Sequence, residues 1–170
     1  MKKYQSLFFL AVLIASQCLQ ANNFPLREDE GLGDVVYRDI AYDKTLKVRA
    51  MSSDRLEAGR AIITYLVSWE MCDGGACVSR GTTITELMLH HPMFFIEWFS
   101  RNPYSQKRWL RSQDLIFNGF TEDLKFQEIV ELKEKLIRQL KGLKLKSATK
   151  ADFLNAYIDK LEKIEVPNYQ

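Results

Sequence analysis

Two prolines, Pro92 and Pro103, stand in the middle of a stretch otherwise patterned for helix, and they limit how long any helix there can run. Proline lacks the N–H that an interior helical position donates, and its ring disfavours helix at the preceding residue. Both are read as first-turn prolines, after His91 and Asn102, where a missing N–H is tolerated. They bound one short helix, MFFIEWFSR, and open another, YSQKRWLRSQDLIF, which stops at Asn118-Gly119.

Helical spacing continues on both sides. Upstream, Asp54 followed by Glu57 has the form of a capping box. Leu56, Ile63, Leu66 and Trp69, with Ile62 beside them, give an apolar face up to about Met71, and Gly74 is placed as a stop. A further helix is expected to begin between Cys77 and Thr83, with Thr83 and Glu86 as a capping pair, and to end near His90. Downstream, Thr121 is expected to cap a helix whose face is Phe126, Ile129, Leu132, Leu136 and Leu140, with Glu122 and Asp123 at its positive end and Gly142 at its close. A last helix from about Lys150 to Ile164 carries Phe153, Tyr157, Leu161 and Ile164 on one stripe.

Only Val35 to Met51 breaks this period. Val36, Ile40 and Tyr42 alternate with mostly polar neighbours, as do Leu46, Val48 and Ala50, and Asp43-Lys44-Thr45 separates the runs. That pattern predicts a β-hairpin pairing Tyr42 with Leu46 and Ile40 with Val48. The expected fold is mainly α, a small single-domain bundle of five or six helices with an N-terminal β-hairpin. Residues 1–21 form a leader, 22–53 a polar lead-in with the hairpin, and 54–166 the helical domain.

The leader reads MKKYQSLFFLAVLIASQCLQA. Its apolar run, Leu7 to Ala15, is about 14 Å long as a helix, against roughly 30 Å for a bilayer core. Two lysines, a short apolar block and a polar end have the form of a secretory signal, so the protein is expected to be periplasmic or secreted. Cys18 could carry a lipid anchor, but Gln17 is a poor residue before an acylated cysteine, and soluble release is expected. No other apolar segment reaches spanning length. Without Lys2 and Lys3 the acidic and basic side chains balance, which gives no basis for nucleic-acid binding.

Loss of the leader leaves two cysteines, Cys72 and Cys77, in MCDGGACVS. In an exported protein this pair is expected to form a disulfide, with Gly74 and Gly75 easing the turn. Catalytic redox pairs have two intervening residues, and this one has four. Cys72, Cys77 and His90 approach a zinc-finger spacing. The remaining histidine, His91, is adjacent to His90, and neighbouring helical side chains diverge by about 100°, so no metal site is expected.

Candidate chemistry is sparse. There is no Gly-x-Ser-x-Gly elbow, phosphate-binding glycine loop or dinucleotide fingerprint, and no cofactor is expected. Glu70, Glu86 and Glu97 lie in or beside apolar stretches and are the candidate acids for a hydrolase. Phe94, Phe95, Trp98 and Phe99, with Tyr104 and Trp109, suit a core. Where exposed, Phe95, Trp98, Phe99, Tyr104, Lys107, Arg108, Trp109 and Arg111 would form a partner surface. A basic run, Lys135, Arg138, Lys141, Lys144, Lys146 and Lys150, could steer an acidic protein. The expectation is an exported, non-enzymatic protein-binding module of inhibitor or immunity type. The alternatives are a cell-envelope hydrolase using acidic residues, or a structural or assembly protein.

Overall fold

In a computed structural model, which describes residues 44–120, 124–166 and 168, every regular element is an α-helix. The helices among the described residues are α1 Lys44–Ala50, α2 Arg55–Met71, α3 Gly74–Met88, α4 Pro92–Arg101, α5 Pro103–Gly119, α6 Phe126–Lys141 and α7 Ala148–Lys163. The protein is mainly α. Leu46 and Ala50, expected on the second strand of a hairpin, are buried on α1, which packs against α2. A spacing of four puts them on one helical face as well as an even spacing puts them on one strand face. The expected first strand lies outside the described residues.

Both prolines open their helices as expected. Asn102 caps α5, its side-chain oxygen accepting from the Tyr104 and Ser105 N–H groups at 2.9 and 3.4 Å. Asp54 caps α2 in the same way, accepting from Leu56 and Glu57. Glu57 does not complete the box, and its carboxylate pairs with Arg49 of α1 instead. Gly142 closes α6.

Three expectations are corrected. Gly74 opens α3 rather than ending α2. It turns the chain with a φ of +51°, a conformation glycine adopts without strain. Thr83 lies inside α3, its hydroxyl donating to the Ser79 carbonyl one turn back. Helix α6 starts at Phe126, where Glu128 accepts from the Lys125 N–H at 2.7 Å. Thr121, Glu122 and Asp123 lie outside the described residues.

The core forms where α2, α4, α5 and α7 present rings to one another. Trp69 meets Trp109 edge-on with centroids 5.2 Å apart, and Phe99 stacks on Trp109 at 4.7 Å. Phe153 and Tyr157 of α7 extend the cluster through Phe99 and Trp109 respectively. All five rings are fully buried. Burial pushes the Tyr157 phenol far above its usual range, so it is neutral in the folded state. Its hydroxyl lies beside the Trp109 indole and the Thr85 hydroxyl without an ordinary hydrogen bond.

Glycine sets the approach of α3 to α5. A Cβ at Gly81 would come within 2.5 Å of the Ile116 side chain, and one at Gly119 would overlap Val78. Long-range polar contacts lock the helix ends. His91 bonds the Ser52 carbonyl through Nε2 at 3.1 Å, Gln139 donates to the Leu89 carbonyl, and Lys133 donates to the Ile164 carbonyl. Among the described residues no helix is long and apolar enough to cross a membrane.

Candidate functional site

Helix α2 is apolar on two faces, and the structure buries only one. Ala58, Ala61, Ile62, Tyr65, Leu66 and Trp69 face the core. Leu56 and Ile63, expected on that face, are 64% and 48% exposed. With Val67 at 39% and Met71 at 60% they form an outward stripe. From Leu56 to Met71 the stripe runs about 22 Å along the helix.

Beside the stripe lies a groove of about 580 Å³, walled by Ile63, Leu66 and Glu70 of α2 and by Phe94, Glu97, Trp98 and Arg101 of α4. Asn102 and Ser105, at the start of α5, also line it. Gly59 allows the wall to form, since a Cβ there would meet the Phe94 ring at 3.0 Å. The Arg55 guanidinium lies over the Phe94 ring, 5.7 Å from its centroid. Further along, the Trp98 indole N–H donates to the Glu70 carboxylate at 3.1 Å.

The two acids of the groove differ in their surroundings. Glu97 is held by Lys150 of α7 and Arg101 of α4. The Lys150 hydrogen bond, opposed in part by desolvation and helped by Arg101, keeps its carboxyl below the usual carboxylate range. Glu70 makes no ion pair among the described residues, and the neutral Trp98 donor is its side-chain partner. Glu86, the third candidate acid, pairs with Lys47 of α1 and is not part of the groove.

The expected partner surface divides. Phe95, Phe99 and Trp109 are buried core residues, because the inner faces of α4 and α5 turn towards α7. Trp98 is half-buried in the groove, whereas Tyr104, Lys107 and Arg111 are exposed on α5. Arg108 has an internal role. Its guanidinium donates to the Glu70 and Cys72 carbonyls at 2.5 and 2.6 Å, lies 4.8 Å from the Trp69 ring centroid, and reaches Cys77 Sγ at 3.2 Å. It therefore caps the negative end of α2 against the Cys72–Cys77 disulfide, whose Cα atoms are 5.3 Å apart. Buried Arg80 adds a donor to the Ser68 carbonyl of the same turn.

With its cysteines joined, the zinc-like spacing has no thiolate to offer. No cluster of metal-ligating side chains occurs among the described residues. His90 is exposed and His91 is engaged with Ser52. In the basic run, Lys141 pairs with Glu162, Arg138 with Glu134 and Lys150 with Glu97.

The groove could not be read from sequence because Ile63 and Glu70 sit on the face that helical periodicity assigned to the core or left unassigned. The available signal was the excess of apolar residues on α2, more than one buried face requires. Set against known proteins, the chain matches no family model, no curated protein and no solved structure.

Proposed function

We propose that this is an exported protein, periplasmic or secreted, that binds another protein without catalysing a reaction, in the manner of an inhibitor or immunity factor. The observation that carries the reading is the row of exposed apolar side chains on α2, Leu56, Ile63, Val67 and Met71, of which Ile63 also walls the groove and among which exposed Arg60 is the charged member. Exposed large side chains aligned on one helix, beside a concavity, have the character of a protein-docking surface. The leader composition and the local disulfide support export, since structural disulfides persist in oxidising compartments.

The test is recovery of a stoichiometric complex from periplasmic extract with the wild-type protein, and its loss with Ile63→Asp and Val67→Asp. Both positions are partly exposed, so the substitutions should leave the fold intact. A complex that survives both changes overturns the assignment of this face.

The same groove supports a second reading, a cell-envelope hydrolase, because Glu70 and Glu97 both line it. Glu97, held ionised by Lys150 and Arg101, would have to be the base or nucleophile, leaving Glu70 as the acid. Turnover of envelope polymer that disappears in both Glu70→Gln and Glu97→Gln would favour this reading over binding.

A further inference from the structure

Resting on the docking reading, we propose that the groove takes a Lys or Arg side chain from an otherwise apolar segment of the partner, its cationic head on the Glu70 carboxylate and its methylene stem against Phe94 and Trp98. The argument begins with charge. Of the ionic side chains lining the groove, Glu97 and Arg101 satisfy each other, with Lys150 completing the Glu97 set. Glu70 has a neutral indole donor alone among the described residues, and a carboxylate can accept several hydrogen bonds.

Nearby guanidinium groups of the chain are committed elsewhere. Arg108 donates to the main-chain carbonyl of Glu70, Arg101 holds Glu97, and Arg55 covers Phe94. An apolar segment seated here would strip water from a carboxylate that has no ion-pair partner among the described residues, which strongly opposes binding. An acidic segment would meet Glu70 and Glu97 together. A cationic side chain reverses both penalties.

The walls favour the same ligand. Leu66, Ile63, Phe94 and Trp98 surround the acid with apolar surface, which strengthens a charge pair by excluding water. Lys and Arg carry long apolar stems that pack on such walls while the head reaches a polar tip. Aromatic faces attract cations, Trp most strongly, and Phe94 already receives a guanidinium. The outward stripe beyond Ile63 supplies the contact area for the apolar residues flanking that cation.

The test uses the full disulfide-bonded protein and four labelled amphipathic peptides of about fifteen residues, the length that spans the stripe as a helix. They share one apolar face and differ at a central position, which is Lys, Arg, norleucine or Glu. Fluorescence anisotropy should show the Lys and Arg peptides binding about tenfold more tightly than the norleucine peptide, as expected for a partly desolvated charge pair. The Glu peptide should be weakest, and added salt should narrow the spread. Glu70→Gln, which retains a side-chain oxygen for the Trp98 donor, should bring the Lys peptide to the norleucine level.

Equal affinity for Lys and norleucine peptides on the wild-type protein overturns the proposal without need of a variant. So does a Lys preference that survives Glu70→Gln, or failure of all four peptides to bind. Equal binding of all four peptides that is lost in Ile63→Asp leaves the docking surface standing and removes its cation preference. Retention of the stoichiometric complex by Ile63→Asp and Val67→Asp removes the docking reading itself.

Discussion

Arg108 ties together parts of the chain that its own position does not announce. It is half-buried and donates to two carbonyls at the end of α2 while facing both sulfurs of the disulfide. Arg108→Met would keep much of the stem and leave those carbonyls without their charged donor. A loss of about 2 kcal/mol in urea unfolding is expected, and Arg108→Lys should recover only part because an ammonium lacks the planar fork. Glu97 makes a different kind of prediction. Its folded carboxyl titrates below its ordinary value of 4.5, chiefly because of the Lys150 hydrogen bond. Its stabilising contribution is therefore present above that ordinary value and is lost as pH falls through the lowered one. Stability curves of wild type and Glu97→Gln should be separated near neutral pH and converge in acid, and a constant separation at all pH values would reject the linkage.

At the scale of elements, close approach of α3 to α5 depends on what Gly81 lacks. Alanine is the better helix former by about 1 kcal/mol, yet its Cβ at this position would press on buried Ile116. Gly81→Ala is expected to destabilise by about 1–3 kcal/mol, as overpacked cores do. On an Ile116→Ala background the same change should cost much less, which a double-mutant cycle measures. Boundaries set by backbone chemistry were legible: Pro92 and Pro103 start helices, Asp54 caps one and Gly142 ends one. Boundaries that depend on contacts were not. The Gly74 signal was that of a turn, but sequence could not show that the chain re-enters helix at once, with the disulfide joining the end of α2 to the first turns of α3. Likewise, alternation in a short segment could not separate the α1 pattern from a strand until α2 was present to cover Leu46 and Ala50.

For the whole molecule, the short disulfide loop bears on stability. Replacing both Cys72 and Cys77 by serine should lower stability by about 2 kcal/mol, the loop-closure scale for a short bridge, with a lower urea midpoint as the readout. Mass spectrometry of the native protein should find it lighter by two hydrogens than its reduced form, and two free thiols would contradict the bridge. The sequence alone determined that the region from Asp54 onward is built from short helices and that Cys72 and Cys77 lie close enough along the chain to join. Those properties follow from missing N–H groups, capping oxygens, glycine turns and short chain separation, all local to the backbone. Only the tertiary structure decided which side of α2 is hidden. Leu56, Ile63, Val67 and Met71 repeat with nearly the same period as the residues that are buried, and period carries no information about which neighbours arrive. The packing of α3, α4 and α5 sends Trp69 inward, places Glu70 at the edge of a groove and leaves the second apolar stripe facing water, because burial is a property of the assembled surfaces rather than of any one helix.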